Sequence, residues 1–148
     1  MQDIITSLVH EYKNTGHTIE IVCDDDLMVT SYPGAIAQIL TNFIMNSLTH
    51  AFTIIENGKM LIKAFRHNES LILIYEDDGC GLKEEQKSLI FTPFYTTNKQ
   101  KGGSGLGLSV VYNLVTQKLN GKIEVESEQG KGIKFSITIP LQEDSLNG

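Results

Sequence analysis

Three short polar motifs stand in order along the chain: Asn42-Phe43-Ile44-Met45-Asn46, Asp77-Asp78-Gly79-Cys80-Gly81-Leu82 and Gly103-Ser104-Gly105-Leu106-Gly107-Leu108. Asn42 and Asn46 are four residues apart, so a helix places them on one face, which Thr49 and His50 continue a turn later. Their amides offer neutral oxygens to a hard cation and N–H donors to phosphate. Magnesium takes oxygen ligands and keeps waters, so one amide oxygen with phosphate oxygens suffices. The same spacing also describes the solvent side of an amphipathic helix. Asp77 closes the apolar run Leu71-Ile72-Leu73-Ile74-Tyr75. A carboxylate there can accept from an exocyclic amine, and Gly79 and Gly81 let backbone approach a ligand closely. Asp-Asp-Gly is equally ordinary turn chemistry. Gly103, Gly105 and Gly107 remove side chains that would block phosphate, and the helix after them supplies free N–H groups. A flexible hinge would have the same composition. Neither G-x-x-x-x-G-K-[ST] nor G-x-G-x-x-G is matched, since Leu108 stands where the third glycine would be. Together an amide pair, a carboxylate turn and a glycine loop can surround one nucleotide.

The elements that must position these motifs follow from periodicity. Residues 2–15 read as a short helix with Ile4, Ile5, Leu8, Val9 and Tyr12 on one side. Residues 18–23 alternate as a strand, Asp24 to Asp26 form a turn, and residues 28–30 suggest a very short second strand. Pro33 suits the first turn of a helix whose buried stripe is Ile36, Ile39, Leu40, Phe43, Ser47 and Ala51. Residues 59–66 and 70–77 predict an antiparallel hairpin around His67-Asn68-Glu69. Residues 83–90 predict a short polar helix, and residues 91–104 a long loop of the kind that usually carries function. Residues 106–120 predict a helix with Leu108, Val111, Leu114, Val115 and Leu119 inward, stopped by Gly121 as a left-handed cap. Residues 123–127 and 133–140 complete the strands. The fold class expected is α/β in the α+β sense. It is a two-layer sandwich, with one mixed, mostly antiparallel sheet of about five strands and three longer helices on one face.

At 148 residues, with 41% hydrophobic and 20% charged residues, the chain suits a single globular core. A net charge of −6 argues against broad contact with nucleic acid or an acidic membrane. Lys99 and Lys101 nevertheless flank the glycine loop, where they can serve an anion. Cys23 and Cys80 are far apart and lack metal-ligand spacing, so two free thiols are expected rather than zinc. No apolar run reaches the roughly 18 residues of a membrane span, and no leader is expected.

In this order the motifs resemble the ATP-binding catalytic domain of bacterial sensor histidine kinases, within the superfamily that includes DNA gyrase B subunits and heat-shock ATPase chaperones. Asn42-x-x-x-Asn46 resembles the asparagine box, Asp77-x-Gly79-x-Gly81 the first glycine box, and Phe91-Thr92-Pro93-Phe94-Tyr95-Thr96-Thr97 the phenylalanine box. Gly103-x-Gly105-x-Gly107-Leu108 resembles the second glycine box. Ser127-Glu128-Gln129-Gly130-Lys131-Gly132, followed by Phe135, resembles the last. The resemblance runs from about Ile19 to Pro140. It implies ATP and Mg²⁺ as cofactors. Asn46 would ligate the metal, with Asn42 and His50 near the phosphates as the catalytic set. Asp77 would accept from the adenine amino group, with Gly79, Gly81 and Leu82 around the base. Residues 91–105 would form the lid, with Thr97 and with Lys99 or Lys101 toward the terminal phosphate. Gly103, Ser104, Gly105, Leu106, Gly107 and Leu108 would hold phosphate oxygens.

Two departures from the family pattern matter. Ile133 stands where a threonine often adds a second polar contact to the base. Asn42 stands where the gyrase and chaperone ATPases carry a glutamate as general base. An amide cannot take a proton from water, so phosphoryl transfer to an external side chain is expected over hydrolysis.

His10-Glu11 resembles the start of a phosphoacceptor motif, but a dimeric hairpin needs two long helices and a strand begins at Thr18. His17 and His67 read as surface residues. Residues 1–17 are therefore expected to be a residual helix from an absent dimerisation domain, 18–141 the catalytic domain and 142–148 a flexible tail. The implied partners are the chain's own dimerisation and phosphoacceptor domain and, downstream, a response regulator. No nucleic acid or direct membrane contact is implied. The implied location is cytoplasmic, whether or not the parent is membrane-anchored. A serine kinase of the anti-sigma type and a noncatalytic nucleotide-sensing module share the same boxes.

Overall fold

The computed structural model describes residues 5–7, 10, 16–24, 33–48, 57–91 and 107–141. In chain order the elements are β1 (Thr18–Cys23), α1 (Pro33–Asn46), β2 (Lys59–His67), β3 (Ser70–Asp77) and α2 (Glu84–Lys87). Then come α3 (Gly107–Asn113) with a π-helical turn at Leu114–Lys118, β4 (Lys122–Ser127) and β5 (Ile133–Pro140). The expected short strand at 28–30, Ala51 and the tail at 142–148 lie outside the described residues.

One five-stranded sheet runs in the order β1-β2-β3-β5-β4. β1 lies parallel to β2, with α1 in the connection between them, and every other pair is antiparallel. The alternation of each strand points one set of side chains to the helices. Met60, Ile62 and Ala64 of β2, Leu71, Leu73 and Tyr75 of β3 and Ile133, Phe135, Ile137 and Ile139 of β5 are all buried. Ile36, Ile39, Leu40, Phe43 and Ile44 of α1 meet them, joined by Val111, Val115 and Leu119. Phe43 centres this layer: its ring stacks on Phe135 at 4.4 Å and on Tyr75 at 5.1 Å. Burying such a ring is worth about 1.5–3 kcal/mol, so α1 is held against the middle of the sheet. Ile5 belongs to the same core.

Four local expectations are corrected. Gly121 is not the left-handed cap. Asn120 takes that conformation, with φ 55°, while Gly121 is required because a Cβ there would run into the carbonyl of Thr138. The helix expected over 83–90 is confined to Glu84–Lys87; it buries no residue, so no apolar face extends it. His67 is the last residue of β2, leaving Asn68 and Glu69 as the turn, with Asn68 at φ 56°. His17 is half-buried rather than on the surface. Its Nδ1 accepts the Gly58 N–H at 2.7 Å, which pins the start of β1 to the start of β2.

Candidate nucleotide site

Asp77 is the last residue of β3, and its position in the alternation turns it toward the helix layer, where it is 6% exposed. A buried carboxylate requires partners. Ser47, one residue beyond α1 and 1% exposed, donates to Oδ2 at 2.6 Å. The Gly79 N–H donates to Oδ1 at 3.0 Å. Ile133, the β5 residue in register with Asp77, also brings its backbone N–H to bear on the carboxylate charge. Burial pushes the Asp77 carboxyl above the usual carboxylate range. Ser47 and Gly79 oppose that rise, the neighbouring Asp78 charge adds to it, and Ile133 opposes it. Ser47 is also 2.6 Å from the hydroxyl of buried Tyr75, which burial holds far above the ordinary phenol range. Neither Ser47 nor Tyr75 stands out as a site residue in the sequence. Ser47 reads as core, and only the packing of α1 across β3 brings its hydroxyl to Asp77.

The turn after Asp77 is locked from two sides. Exposed Asp78 accepts the Lys59 N–H at 2.7 Å, and its own N–H returns to the Lys59 carbonyl at 3.1 Å. On the other side the β4–β5 turn packs onto it main chain to main chain. Gly130 N–H donates to the Cys80 carbonyl at 2.7 Å. The Ser127 hydroxyl accepts the Leu82 N–H at 2.9 Å and donates to the Gly132 carbonyl at 2.7 Å. Gly81 and Gly132 lie at φ 70° and φ 83°. A Cβ at Gly81 would strike the Glu128 carbonyl, and one at Gly132 the Asp77 carbonyl. Gly81 is thus needed by the protein's own packing as well as by any ligand. The Leu82 N–H is taken by Ser127, and its side chain packs on the core. Cys23 and Cys80 form no disulfide. Partial burial and the Asp77 charge hold the Cys80 thiol above its usual range, which keeps it a poor nucleophile.

Asn42 and Asn46 share a half-buried face of α1. Asn42 spans to the far motif: its Nδ2 donates to the Gly107 carbonyl at 3.2 Å while its Oδ1 accepts from Gln38 at 3.1 Å. Gly107 opens α3, is exposed, and a Cβ there would meet nothing within 4 Å. Neither crowding nor a left-handed φ explains that glycine, so the space beside it is open to a ligand. Leu108 turns its side chain to the core. Among the described residues no three His, Cys, Asp or Glu side chains gather as a metal cage. The donors that fit a hard cation here are carboxamide oxygens shared with a ligand's phosphates. His50, Thr97, Lys99, Lys101, Gly103, Ser104, Gly105 and Leu106 lie outside the described residues.

The family described as "Histidine kinase-, DNA gyrase B-, and HSP90-like ATPase" matches residues 32–143. The chain belongs to this ATPase family. Several of the proteins it is similar to are histidine kinases. The catalytic domain of histidine kinase ThkA is 26% identical, with a TM-score of 0.77 over 95% of this chain and 89% of that one. Sensor histidine kinase ZraS of Escherichia coli K12 is 34% identical over 74% of this chain. Sporulation kinase E of Bacillus subtilis is 33% identical over 98% of this chain. The chain spans 22% of the length of the first of these two kinases and 19% of the second. The ATPase domain fold and its α+β sandwich agree with the sequence expectation. No helix among the described residues is long and apolar enough to cross a membrane.

Proposed function

We propose that this ATPase domain binds Mg·ATP between Asp77, Asn46 and Gly107 and passes the γ-phosphoryl group to a histidine on a separate dimerisation domain, from which a response regulator would receive it. The observation that carries this reading is Asp77, a buried carboxylate with part of its acceptor capacity filled by protein donors. An ionised carboxylate has about four acceptor sites and no proton to give. With Ser47 and Gly79 each filling one site, acceptor capacity is left that suits the amino group of adenine. Family membership and the open space beside Gly107 support a phosphate tail running from there toward α3.

The remaining roles follow on this reading. Asn46 offers a neutral oxygen to Mg²⁺, and Asn42 and His50 lie toward the phosphates. Thr97, Lys99 or Lys101, and Ser104 of the lid close over them, with the main chain of Gly103, Gly105, Leu106, Gly107 and Leu108 at the phosphate oxygens. The metal, when bound, neutralises charge on the β- and γ-phosphates. Asn42 cannot act as a base for water, since it is an amide whose oxygen already accepts from Gln38. Phosphoryl transfer needs mainly positioning and charge neutralisation, so nucleotide binding rests on this domain and transfer on the acceptor histidine presented to it.

Calorimetry with Mg·ATP tests the binding half, and saturable uptake lost on Asn46→Ala in its magnesium-dependent part is expected. Mixing the domain with a purified histidine-containing helical hairpin and labelled ATP tests the transfer. Label on the hairpin supports a histidine kinase, and binding without transfer favours a sensing module.

A further inference from the structure

We propose that the buried hydroxyl pair of Tyr75 and Ser47 sets base specificity, by holding Asp77 as a pure acceptor so that the pocket takes a purine bearing an exocyclic amine and rejects one bearing a carbonyl there. This rests on the adenine reading of Asp77 above and adds two residues that make no ligand contact themselves; both are positioning residues.

Ser47 has one hydroxyl proton and lies 2.6 Å from both the Tyr75 hydroxyl and Asp77 Oδ2. If Ser47 gave its proton to Tyr75, two oxygens with lone pairs would face each other at Asp77, and the tyrosine proton would need another acceptor. With Asp77 ionised, the arrangement that satisfies every group runs one way: Tyr75 donates to Ser47, and Ser47 donates to Asp77. All three are buried, so water cannot substitute for a missing partner without cost. The chain ends on a carboxylate whose other oxygen is held by the Gly79 N–H. A hydrogen bond to the charged form favours that form, and among the donors Ser47 does most to oppose the effect of burial. Among the described residues, the titratable groups coupled electrostatically to Asp77 are Tyr75, Asp78 and Cys80, none of them a cation. Ser47 therefore does what a neighbouring positive charge would do elsewhere. Without it the carboxyl is free to rotate or to take up a proton, and a protonated acid can donate to a carbonyl. Discrimination by a site built around one hydrogen bond depends on the wrong partner leaving a buried group unpaired, and that penalty vanishes once the acid can serve both bases.

The test is calorimetric titration of the 148-residue chain with ATP and with inosine triphosphate, which differs in carrying a carbonyl in place of the amine. The wild type is expected to prefer ATP. Ser47→Ala should narrow the ATP-to-inosine ratio by about ten-fold or more, the loss of a hydrogen bond to a charged group. Tyr75→Phe should narrow it less, since Ser47 still donates. A folded Ser47→Ala protein with the wild-type ratio overturns the proposal. If that variant does not fold, Tyr75→Phe decides: a narrowed ratio supports the proposal and an unchanged one overturns it. Asp77→Asn separates this inference from the reading beneath it. If Asp77→Asn leaves the ratio unchanged, the adenine assignment itself fails; if it abolishes the preference while Ser47→Ala keeps it, only the role of the hydroxyl pair fails.

Discussion

The carboxamide of Asn42 reaches from α1 to the carbonyl of Gly107 at the head of α3, a hydrogen bond of 3.2 Å across 65 residues of chain. It joins the first motif to the last, so α3 cannot shift without disturbing the helix that carries Asn46. Asn42→Ala should cost about 0.5–1.5 kcal/mol in urea unfolding and weaken ATP binding as well. Asn42→Asp should weaken ATP binding further, because a carboxylate cannot donate to Gly107 and adds negative charge where phosphate is proposed to lie. Calorimetry that ranks the aspartate variant above the alanine one would contradict the proposed phosphate position.

Asp77 is expected to trade stability for recognition. Its folded pKa is raised, so the native state holds a proton more readily than the unfolded chain. Stability therefore falls as pH rises from the ordinary carboxylate range through the raised value, and the full penalty persists above it. Asp77→Asn removes that slope. The variant should melt at a higher temperature than the wild type at neutral pH, with the gap shrinking on acidification toward the ordinary carboxylate range. Its ATP affinity should fall by about 1–3 kcal/mol, the cost of an unpaired buried partner. Thermal melts from acid to neutral pH check the first part, and a wild type that grows more stable with rising pH in that window would refute it.

Two glycines of the site should respond in opposite ways. Gly132→Ala places a Cβ against the Asp77 carbonyl at a left-handed φ, a conformation that alone costs roughly 1–2 kcal/mol for an L-residue. Loss of folding is expected. Gly107→Ala meets open space in helical backbone, so its melting temperature should stay within a few degrees of wild type while nucleotide affinity drops. A Gly107→Ala protein that binds ATP normally would remove the phosphate from that space.

Ser127 supplies the only side chain among the described hydrogen bonds that ties the β4–β5 hairpin to the turn after Asp77, through the Leu82 N–H and the Gly132 carbonyl. Ser127→Ala orphans both partly buried groups and should destabilise by about 1–3 kcal/mol. Ser127→Thr keeps the hydroxyl and should recover most of that loss in a denaturant titration.

Much of this architecture was readable along the chain because it obeys short periods. Residues 59–66, 70–77 and 133–140 read as strands, and the three-to-four spacing from Ile36 to Ser47 marked the stripe of α1. Local rules failed where two conformations compete within one or two residues. Asn120 and Gly121 can both enter the left-handed region, and a close approach to Thr138, distant in sequence, reserves the glycine for a different task. His17 looked like a surface residue for the same reason: its partner Gly58 lies 41 positions away.

The types and spacing of Asn42, Asn46, Asp77 and the glycines were enough to name the family and the class of ligand, since a helix or a turn presents such groups the same way wherever it occurs. What they did not contain was how the Asp77 carboxyl finds hydrogen-bond partners under a hydrophobic layer. That depends on Ser47, Gly79 and Ile133 arriving from three separate segments. Hydrogen bonds act over about 3 Å, so their partners exist only once the core has packed α1 across β3 and β5.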